Sequence, residues 1–149
     1  MKLLLKKIRW GRRPVVRAAT GDDLQSISAI QSGAPEGSHW QPGDYFSYQC
    51  QVAEFRGRVA AFLVSRRIAE GQREILNVAV DSTFRRRGLG ILLLKEELRR
   101  WPGEHFLEVR KSNHAARSLY RKIGFEETGE RPGYYENPPE TAIVMRILS

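Results

Sequence analysis

The spacing of apolar residues changes within Ile75–Arg100, where the pattern of a strand gives way to the pattern of a helix. Ile75–Val80 is a short apolar run rich in β-branched residues, and it predicts a strand. A polar turn at Asp81–Thr83 and three arginines follow. Apolar residues then recur at helical spacing, at Ile91, Leu94, Leu98 and Trp101. Pro102-Gly103 ends the pattern, so the stretch predicts a strand, a loop and a helix.

The residues before this stretch predict a strand, a helix and a strand pair. Val15–Ala18 is the first strand, and a helix with Leu24, Ile27 and Ile30 on one face follows a cap at Thr20 or Asp22. Gly33–Gly43 is rich in turn-forming residues. Three elements come next: a short helix at Asp44–Tyr48, and strands at Gln49–Phe55 and Val59–Arg66 joined by the turn Arg56-Gly57.

The residues after this stretch predict three more strands and one helix. His105–Arg110 has the pattern of a strand, and Ser112 or Asn113 can cap the helix that follows it. The apolar face of that helix is Ala116, Leu119, Tyr120 and Ile123, and Gly124 ends it. Phe125–Thr128 and Thr141–Leu148 predict the last strands, separated by an irregular excursion at Arg131–Pro139. The whole pattern predicts a mixed α/β domain built on one sheet, with helices on both faces.

The loop between the central strand and its helix has the features of an anion site. Gly88 and Gly90 allow the backbone to turn tightly and to approach a ligand. The first N–H groups of the helix and its dipole favour an anion, and Arg85–Arg87 add positive charge. No Gly-Lys-Ser/Thr follows, as in a Walker A loop, and the third glycine of a dinucleotide fingerprint is missing. The loop therefore predicts a cradle for a diphosphate of another kind.

The net charge of +8 is concentrated at the N-terminus. Residues 1–17 contain seven Lys or Arg and no acidic residue, which leaves 18 cations against all 17 acidic residues elsewhere. We therefore expect a basic arm at residues 1–13 and one domain at residues 14–149. The arm is either a solvated extension or a contact for RNA or another acidic surface.

The composition is that of a single globular domain. The 149 residues are 41% hydrophobic and 28% charged, which is typical of a soluble protein large enough to bury a core. Cys50 is the only cysteine, so we expect neither disulfides nor a cysteine-based metal site, and a reducing, cytoplasmic setting fits. No apolar run approaches the length of a membrane span. His39 has no partner at ligand spacing, and no metal is expected.

Four stretches of the sequence carry a family resemblance. Arg85-Arg86-Arg87-Gly88-Leu89-Gly90 resembles motif A of the GNAT superfamily of acetyl-CoA-dependent N-acetyltransferases, Arg/Gln-x-x-Gly-x-Gly/Ala. LEVRKSNHAARSLYRKIGF and the tail RPGYYENPPETAIVMRI resemble the bacterial ribosomal-protein-alanine N-acetyltransferases of that superfamily. With NVAVD included, the resemblance spans Pro14 to Leu148. It implies an α/β domain with a mixed, mostly antiparallel sheet of about six or seven strands flanked by about four helices.

The resemblance implies that Glu108 is the general base and Tyr120 the general acid of acetyl transfer. The attacking amine must be neutral, so a carboxylate removes the ammonium proton, directly or through water, and a phenol protonates the departing thiolate. No covalent intermediate is needed, and Cys50 lies outside the matched motifs. The residues alone leave alternatives open: Glu108 can form an ion pair with Arg110 or Arg117, and Tyr120 can be a core aromatic.

The resemblance also implies which residues contact the two substrates. The acetyl-CoA residues are Val78, Ala79, Val80, Arg85, Arg86, Arg87, Gly88, Leu89, Gly90, Ile91 and Asn113. Val78–Val80 would pair with the peptide-like amides of pantetheine, and Asn113 would bond to them besides capping its helix. Tyr134 and Tyr135 resemble a pair that clamps the acceptor, and Trp40 lies in a loop that forms one wall of the acceptor site. His39 and Tyr45 are further candidates there. For all of these, packing on the domain edge or plain exposure is the alternative.

Three functions remain open. The leading hypothesis is acetylation of a protein N-terminal α-amine, with ribosomal protein S18 as one acceptor. Deprotonating a lysine at neutral pH costs about 3.5 kcal/mol more than deprotonating an α-amine, and the matched motifs hold one candidate base. The second is acetylation of a small-molecule amine or of lysine side chains. The third is a non-catalytic module that binds acyl-CoA or RNA, since a fold alone does not decide function.

Overall fold

A computed structural model describes residues 13–34 and 41–149 of the chain. Within these ranges the strands are β1 (Val15–Ala18), β2 (Gln49–Phe55), β3 (Arg58–Ala69), β4 (Gln72–Val80), β5 (Glu104–Arg110), β6 (Glu126–Tyr135) and β7 (Glu140–Leu148). The helices are α1 (Leu24–Ser32), α2 (Leu89–Arg100) and α3 (His114–Ile123). Short 3-10 segments lie at Gly21–Asp23, Pro42–Ser47 and Ser82–Phe84. The segment Pro42–Ser47 lies where the fourth helix is expected.

The seven strands form one sheet in the order β1-β2-β3-β4-β5-β7-β6. β4 and β5 pair in parallel, whereas the pairs β1–β2, β5–β7 and β6–β7 are antiparallel. The predicted fold class, a mixed α/β domain with about seven strands, is therefore confirmed. In the part of the chain that the structure describes, no helix is long and apolar enough to cross a bilayer.

The chain divides into two compact units. The first contains the described residues up to Val64 together with Asn77–Leu93. Its buried residues include Ile27, Tyr45, Phe62 and Leu93. The second contains Ser65–Leu76 and Leu94–Ser149, and its buried residues include Leu94, Leu107, Phe125 and Met145.

The buried face of α2 differs from the predicted one. Leu94 is fully buried as expected, but Ile91 and Leu98 are only half-buried. Glu97, 2% exposed, lies on the buried face instead. A carboxylate can occupy this position because Ser65 donates a hydrogen bond to it from β3.

The predicted excursion at Arg131–Pro139 is wrong in its first half, because β6 continues to Tyr135. The register of β6 against β7 shifts between Glu127 and Gly129 and again between Arg131 and Tyr135. These bulges absorb the extra residues. Gly133, with φ of +66°, adopts a backbone conformation that other residues rarely take. Because β6 is the outermost strand, Pro132 and Gly133 interrupt pairing without ending the strand.

Candidate active site

The first unit contains the predicted strand, loop and helix as one continuous feature. β4 ends at Val80, and the Asp81 carboxylate accepts a 2.8 Å hydrogen bond from the backbone N–H of Thr83, which starts the 3-10 turn. The chain then turns through two left-handed residues, Arg86 (φ +63°) and Gly88 (φ +74°). Helix α2 begins at Leu89, and Leu92 donates its N–H to the Gly88 carbonyl at 2.9 Å. Gly88 thus makes the tight turn that the sequence predicts, whereas Gly90 lies in the first turn of α2.

The loop concentrates positive charge around the start of α2. Arg85, Arg86, Arg87 and Gly88 are all exposed. Arg85 donates a 3.4 Å hydrogen bond to the Gly33 carbonyl, and the Arg87 guanidinium lies 5.7 Å from the centroid of the Phe55 ring. The first N–H groups of a helix have no intrahelical acceptor, so this end of α2 combines free donors, a favourable dipole and three cations. Such an arrangement binds phosphate groups.

The strand before the loop presents residues of alternating burial. Val78 and Val80 are half-buried, whereas Ala79 is buried. The parallel ladder of β4 with β5 joins Gln72–Ile75 to Glu104–Leu107, and Val78–Val80 follow it along β4. A strand segment beyond its ladder retains main-chain groups that can pair with an amide-bearing ligand.

The second unit brings Glu108, Arg131 and Tyr134 together. Arg131 Nη1 donates a 2.5 Å hydrogen bond to Glu108 Oε1, and the Arg131 guanidinium lies 4.7 Å from the centroid of the Tyr134 ring. Burial raises the pKa of Tyr134, and hydrogen bonding to the Glu108 carboxylate and the charge of that carboxylate raise it further. Glu108 Oε2 is buried, and no donor among the described residues bonds to it. The cluster therefore holds a carboxylate with one engaged and one unengaged oxygen.

Arg110 fixes the chain beside this cluster. Its guanidinium donates hydrogen bonds to the carbonyls of Pro138 (3.0 Å) and Glu136 (3.2 Å), and it lies 4.4 Å from the centroid of the Tyr135 ring. The rings of Tyr134 and Tyr135 meet edge to face at 5.1 Å. The two tyrosines of the predicted acceptor pair are thus adjacent, but they lie at the end of strand β6 rather than in a loop.

Helix α3 carries the other two predicted residues of this unit. Asn113 caps the helix, as its Oδ1 accepts a 3.2 Å hydrogen bond from the N–H of Ala116. Tyr120 is half-buried, and its ring lies 5.8 Å from that of Phe125. Burial raises the pKa of Tyr120 to about 12, so its phenol keeps its proton at neutral pH and can act as a donor.

The alternative ion pairs suggested for Glu108 are wrong. Arg110 bonds to the turn after β6, and Arg117 pairs with Glu127 at 2.8 Å. Arg131 is the partner, and sequence reasoning missed it. The register explains why: Glu108 aligns with Val144 on β7, and Val144 with Gly129 on β6, so Arg131 reaches Glu108 diagonally. The arginine of the Arg-x-x-Tyr-Tyr stretch is the one sequence feature that could have indicated this partner.

The remaining candidates lie elsewhere. Trp40 and His39 fall outside the described residues. Tyr45 is fully buried and accepts a 3.0 Å hydrogen bond from Asn77 Nδ2, so it belongs to the core of the first unit. Burial raises the pKa of the Cys50 thiol to about 12, which leaves it protonated and unsuited to nucleophilic attack. Within residues 13–34 and 41–149, no three His, Cys, Asp or Glu side chains group as metal ligands would.

The described residues form an α/β fold with a positively charged loop between β4 and α2 and, in the second unit, a carboxylate–tyrosine cluster. The sequence profile of the Acetyltransferase (GNAT) family matches residues 22–125, which is more than half of the chain. The chain therefore belongs to the GNAT acetyltransferase family. The predicted family and the predicted acetyltransferase class are thereby confirmed at the level of the family.

Individual relatives point in the same direction. An uncharacterised protein of Mycobacterium leprae, ML0378, is 32% identical over 89% of this chain and 40% of its own length. The ribosomal protein bS18 alanine N-acetyltransferase of Salmonella typhimurium is 41% identical over 60% of this chain and 64% of its own length. The match thus spans less than two thirds of either relative. The crystal structure of the S18-alanine N-acetyltransferase of Escherichia coli is 27% identical, with a TM-score of 0.77 over 91% of this chain and 93% of that one.

Proposed function

We propose that this protein transfers the acetyl group of acetyl-CoA to the N-terminal α-amine of a protein. The proposal rests mainly on the surroundings of Glu108. Its carboxylate is largely buried beside Tyr134, and its buried Oε2 bonds to no described residue. Membership of the GNAT family and the likeness to alanine N-acetyltransferases support the same reaction.

The donor is assigned to the first unit. Arg85–Gly90 and the first N–H groups of α2 bind the diphosphate of acetyl-CoA, because this is where free donors and positive charge coincide. The main chain of Val78–Val80 pairs with the pantetheine amides, and its N–H groups stabilise the thioester oxygen as negative charge develops there. The contact of Asn113 with pantetheine, which the family resemblance implies, remains a prediction.

The reaction needs two proton losses from the acceptor and one proton gain by the donor. Glu108, directly or through water, removes one proton from the ammonium group, and the neutral amine attacks the thioester carbon. The carbon–sulfur bond breaks as the carbon–nitrogen bond forms, and Tyr120 protonates the departing CoA thiolate. The new amide nitrogen loses its second proton. The products are the acetylated N-terminus, CoA and one proton released to solvent, after Tyr120 is reprotonated.

The acceptor is assigned to the surface around Tyr134 and Tyr135 of the second unit, whereas the contact predicted for Trp40 falls outside the described residues. By analogy with the Salmonella relative, a free alanine terminus such as that of ribosomal protein S18 is the first acceptor to test. The cytoplasmic location and an RNA contact through residues 1–13 remain predictions from the sequence.

One observation favours the second candidate function, acetylation of lysine or a small amine. Glu74 lies close enough to Arg131 and Tyr134 for its charge to act on both, so the cluster contains a second carboxylate. However, Glu74 Oε2 accepts hydrogen bonds of 3.0 and 2.8 Å from Arg66. Glu108 Oε1 is held by Arg131 in the same way, but Glu108 Oε2 is buried and bonds to no described residue. Glu108 is therefore the better candidate base, and a single base suits the α-amine, which needs less help to lose its proton.

The test uses two alanine-initiated peptides of identical sequence, each with one internal lysine. One has a free N-terminus and the other is N-terminally blocked. Release of CoA from acetyl-CoA is measured with each, and the acetylated position is read by mass spectrometry. Turnover with the free terminus alone supports the proposal. Equal turnover of both peptides indicates a lysine or broad amine acceptor, and binding of acetyl-CoA without turnover of either indicates a non-catalytic module.

A further inference from the structure

Arg131 bonds to the carboxylate of Glu108 although the two residues do not align across the strands of the sheet. Position 131 aligns with Ala142 on β7, and Ala142 with Arg110 on β5. The position on β6 that aligns with Glu108 is Gly129, which has no side chain to offer. Arg131 therefore crosses the sheet diagonally to place Nη1 2.5 Å from Glu108 Oε1.

The two carboxylate oxygens of Glu108 differ in their hydrogen bonding. Oε1 is held by Arg131, whereas Oε2 is buried and bonds to no described residue. A buried carboxylate oxygen is unfavourable unless a donor satisfies it. The ammonium group of an acceptor, or the water that relays its proton, is such a donor. The structure thus distinguishes an oxygen that Arg131 holds from a buried oxygen that has no donor among the described residues.

Arg131 also links the carboxylate to the acceptor tyrosine. Its guanidinium lies 4.7 Å from the centroid of the Tyr134 ring, while the same group bonds to Glu108. A planar guanidinium can donate a directed hydrogen bond and stack on a ring at once, which a lysine ammonium does less well. The side chain of Arg131 is 56% exposed, so its pair with Glu108 adds little to stability.

We propose that Arg131 is a positioning residue for acetyl transfer. Its hydrogen bond to Oε1 of Glu108 turns Oε2 toward the acceptor amine, and its contact with the Tyr134 ring keeps that ring beside Glu108. This inference rests on the proposed function, because it assigns to Glu108 the role of base. It predicts that the loss of Arg131 impairs use of the acceptor while binding of acetyl-CoA and folding remain intact.

The test compares Arg131→Ala and Arg131→Lys with a matched control, Arg121→Ala. Arg121 is also an exposed arginine of this unit in an ion pair, with Glu127 at 2.7 Å, and it lies outside the cluster. For Arg131→Ala we expect kcat/KM for the free-terminus peptide to fall by at least about ten-fold, with KM for acetyl-CoA changed by less than about two-fold. Arg131→Lys restores part of the loss, and Arg121→Ala leaves both constants and Tm near the parent values.

A double-mutant cycle with Glu108→Gln separates positioning from a general structural effect. If Arg131 acts through Glu108, Arg131→Ala has little further effect in the Glu108→Gln background. An equal loss in both backgrounds, or an Arg131→Ala variant as active as Arg121→Ala, overturns the inference and leaves the proposed function standing. A parent protein that binds acetyl-CoA but acetylates no amine overturns both.

Discussion

The hydroxyl of Ser65 donates a 2.5 Å hydrogen bond to Oε1 of Glu97 in a buried polar cluster of the second unit. Arg73 Nη2 donates to the same hydroxyl at 2.9 Å, and Glu97 Oε2 lies 3.7 Å from both Arg73 Nε and His105 Nε2. Burial lowers the pKa of Arg73. The four side chains are 0–7% exposed. Glu97 is thus the acceptor on which the buried donors converge.

Glu97→Ala should destabilise the fold strongly, because it leaves the buried Arg73 without its carboxylate. Breaking a buried ion pair by removing one partner typically costs about 3–5 kcal/mol. Glu96→Ala, one residue away, removes only an exposed pair with Arg99 and should cost less than about 1 kcal/mol. Urea unfolding of both variants measures the difference. Similar losses would show that the cluster does not stabilise the fold.

Asp23 should make stability depend on pH under acidic conditions. Hydrogen bonds from Arg17, at 2.8 and 2.9 Å, lower the pKa of Asp23 in the folded state. A lowered pKa contributes stability that is present above the unfolded-state value, about 3.9, and is lost as the pH falls through the lower folded-state value. Asp23→Asn should therefore be less stable than the parent at pH 7, with the difference shrinking between about pH 5 and pH 2. Urea unfolding across this range checks it, and a constant difference would contradict it.

Alanine substitutions at Gly88 and Gly57 distinguish the effect of backbone strain from the effect on ligand binding. Both have φ of +74°, and a Cβ built at either would meet no atom within 4 Å. Alanine at either position should therefore cost about 1–2 kcal/mol of stability from the left-handed conformation alone. Gly88 lies in the proposed diphosphate loop, whereas Gly57 lies in the turn between β2 and β3.

The two substitutions should differ in their effect on the donor. We expect Gly88→Ala to raise KM for acetyl-CoA about ten-fold, because it shifts the N–H groups that face the diphosphate, whereas Gly57→Ala leaves it unchanged. Steady-state kinetics with varied acetyl-CoA measures both. An unchanged KM for Gly88→Ala would show that the diphosphate does not bind at this loop.

Tyr120→Phe should impair the chemical step but not binding. The ring packs against Phe125 through its edge, so phenylalanine preserves this contact and removes only the hydroxyl. Loss of a general acid lowers the rate by typically about 10²–10⁴-fold. We expect a fall of this order in kcat, with the affinity for acetyl-CoA, measured by calorimetry, nearly unchanged. A variant with parental kcat would show that another group or solvent protonates the thiolate.

The sequence allowed the order of strands and helices to be predicted because most elements have a clear hydrophobic period and clear ends. β1 and β2 have the predicted bounds, and Asn113 caps α3 as expected. β3 is longer than predicted: it begins at Arg58 and continues three residues beyond Arg66, to Ala69, where the apolar pattern has faded. The bulges of β6 could not be predicted, because Pro132 and Gly133 are typical of a loop. Only the pairing of β6 with β7 shows that they lie within a strand.

The candidate site was predictable only where local motifs carry it. The Arg85–Gly90 loop is contiguous in sequence, so its glycines and arginines can be assigned directly. The partner of Glu108 is not contiguous: Arg131 is 23 positions away and reaches it diagonally across β7. The apolar period of α2 does not indicate that Glu97 is buried, because its partners Ser65 and Arg73 come from strands of the sheet. Long-range polar contacts of this kind leave no periodic signal.

The central claim is that Glu108 removes a proton from an α-amine, and its pH dependence tests this most directly. An N-terminal amine has a pKa of about 7.7–8.0, so most of it is ammonium at pH 6.5 and most is free amine at pH 9.5. The measurement is kcat/KM for the free-terminus peptide at both pH values, for the parent and for Glu108→Gln. We predict that the parent-to-variant ratio falls at least about ten-fold from pH 6.5 to pH 9.5, because the free amine no longer needs a base. A ratio that stays constant across this range would contradict the assignment of Glu108 as the base.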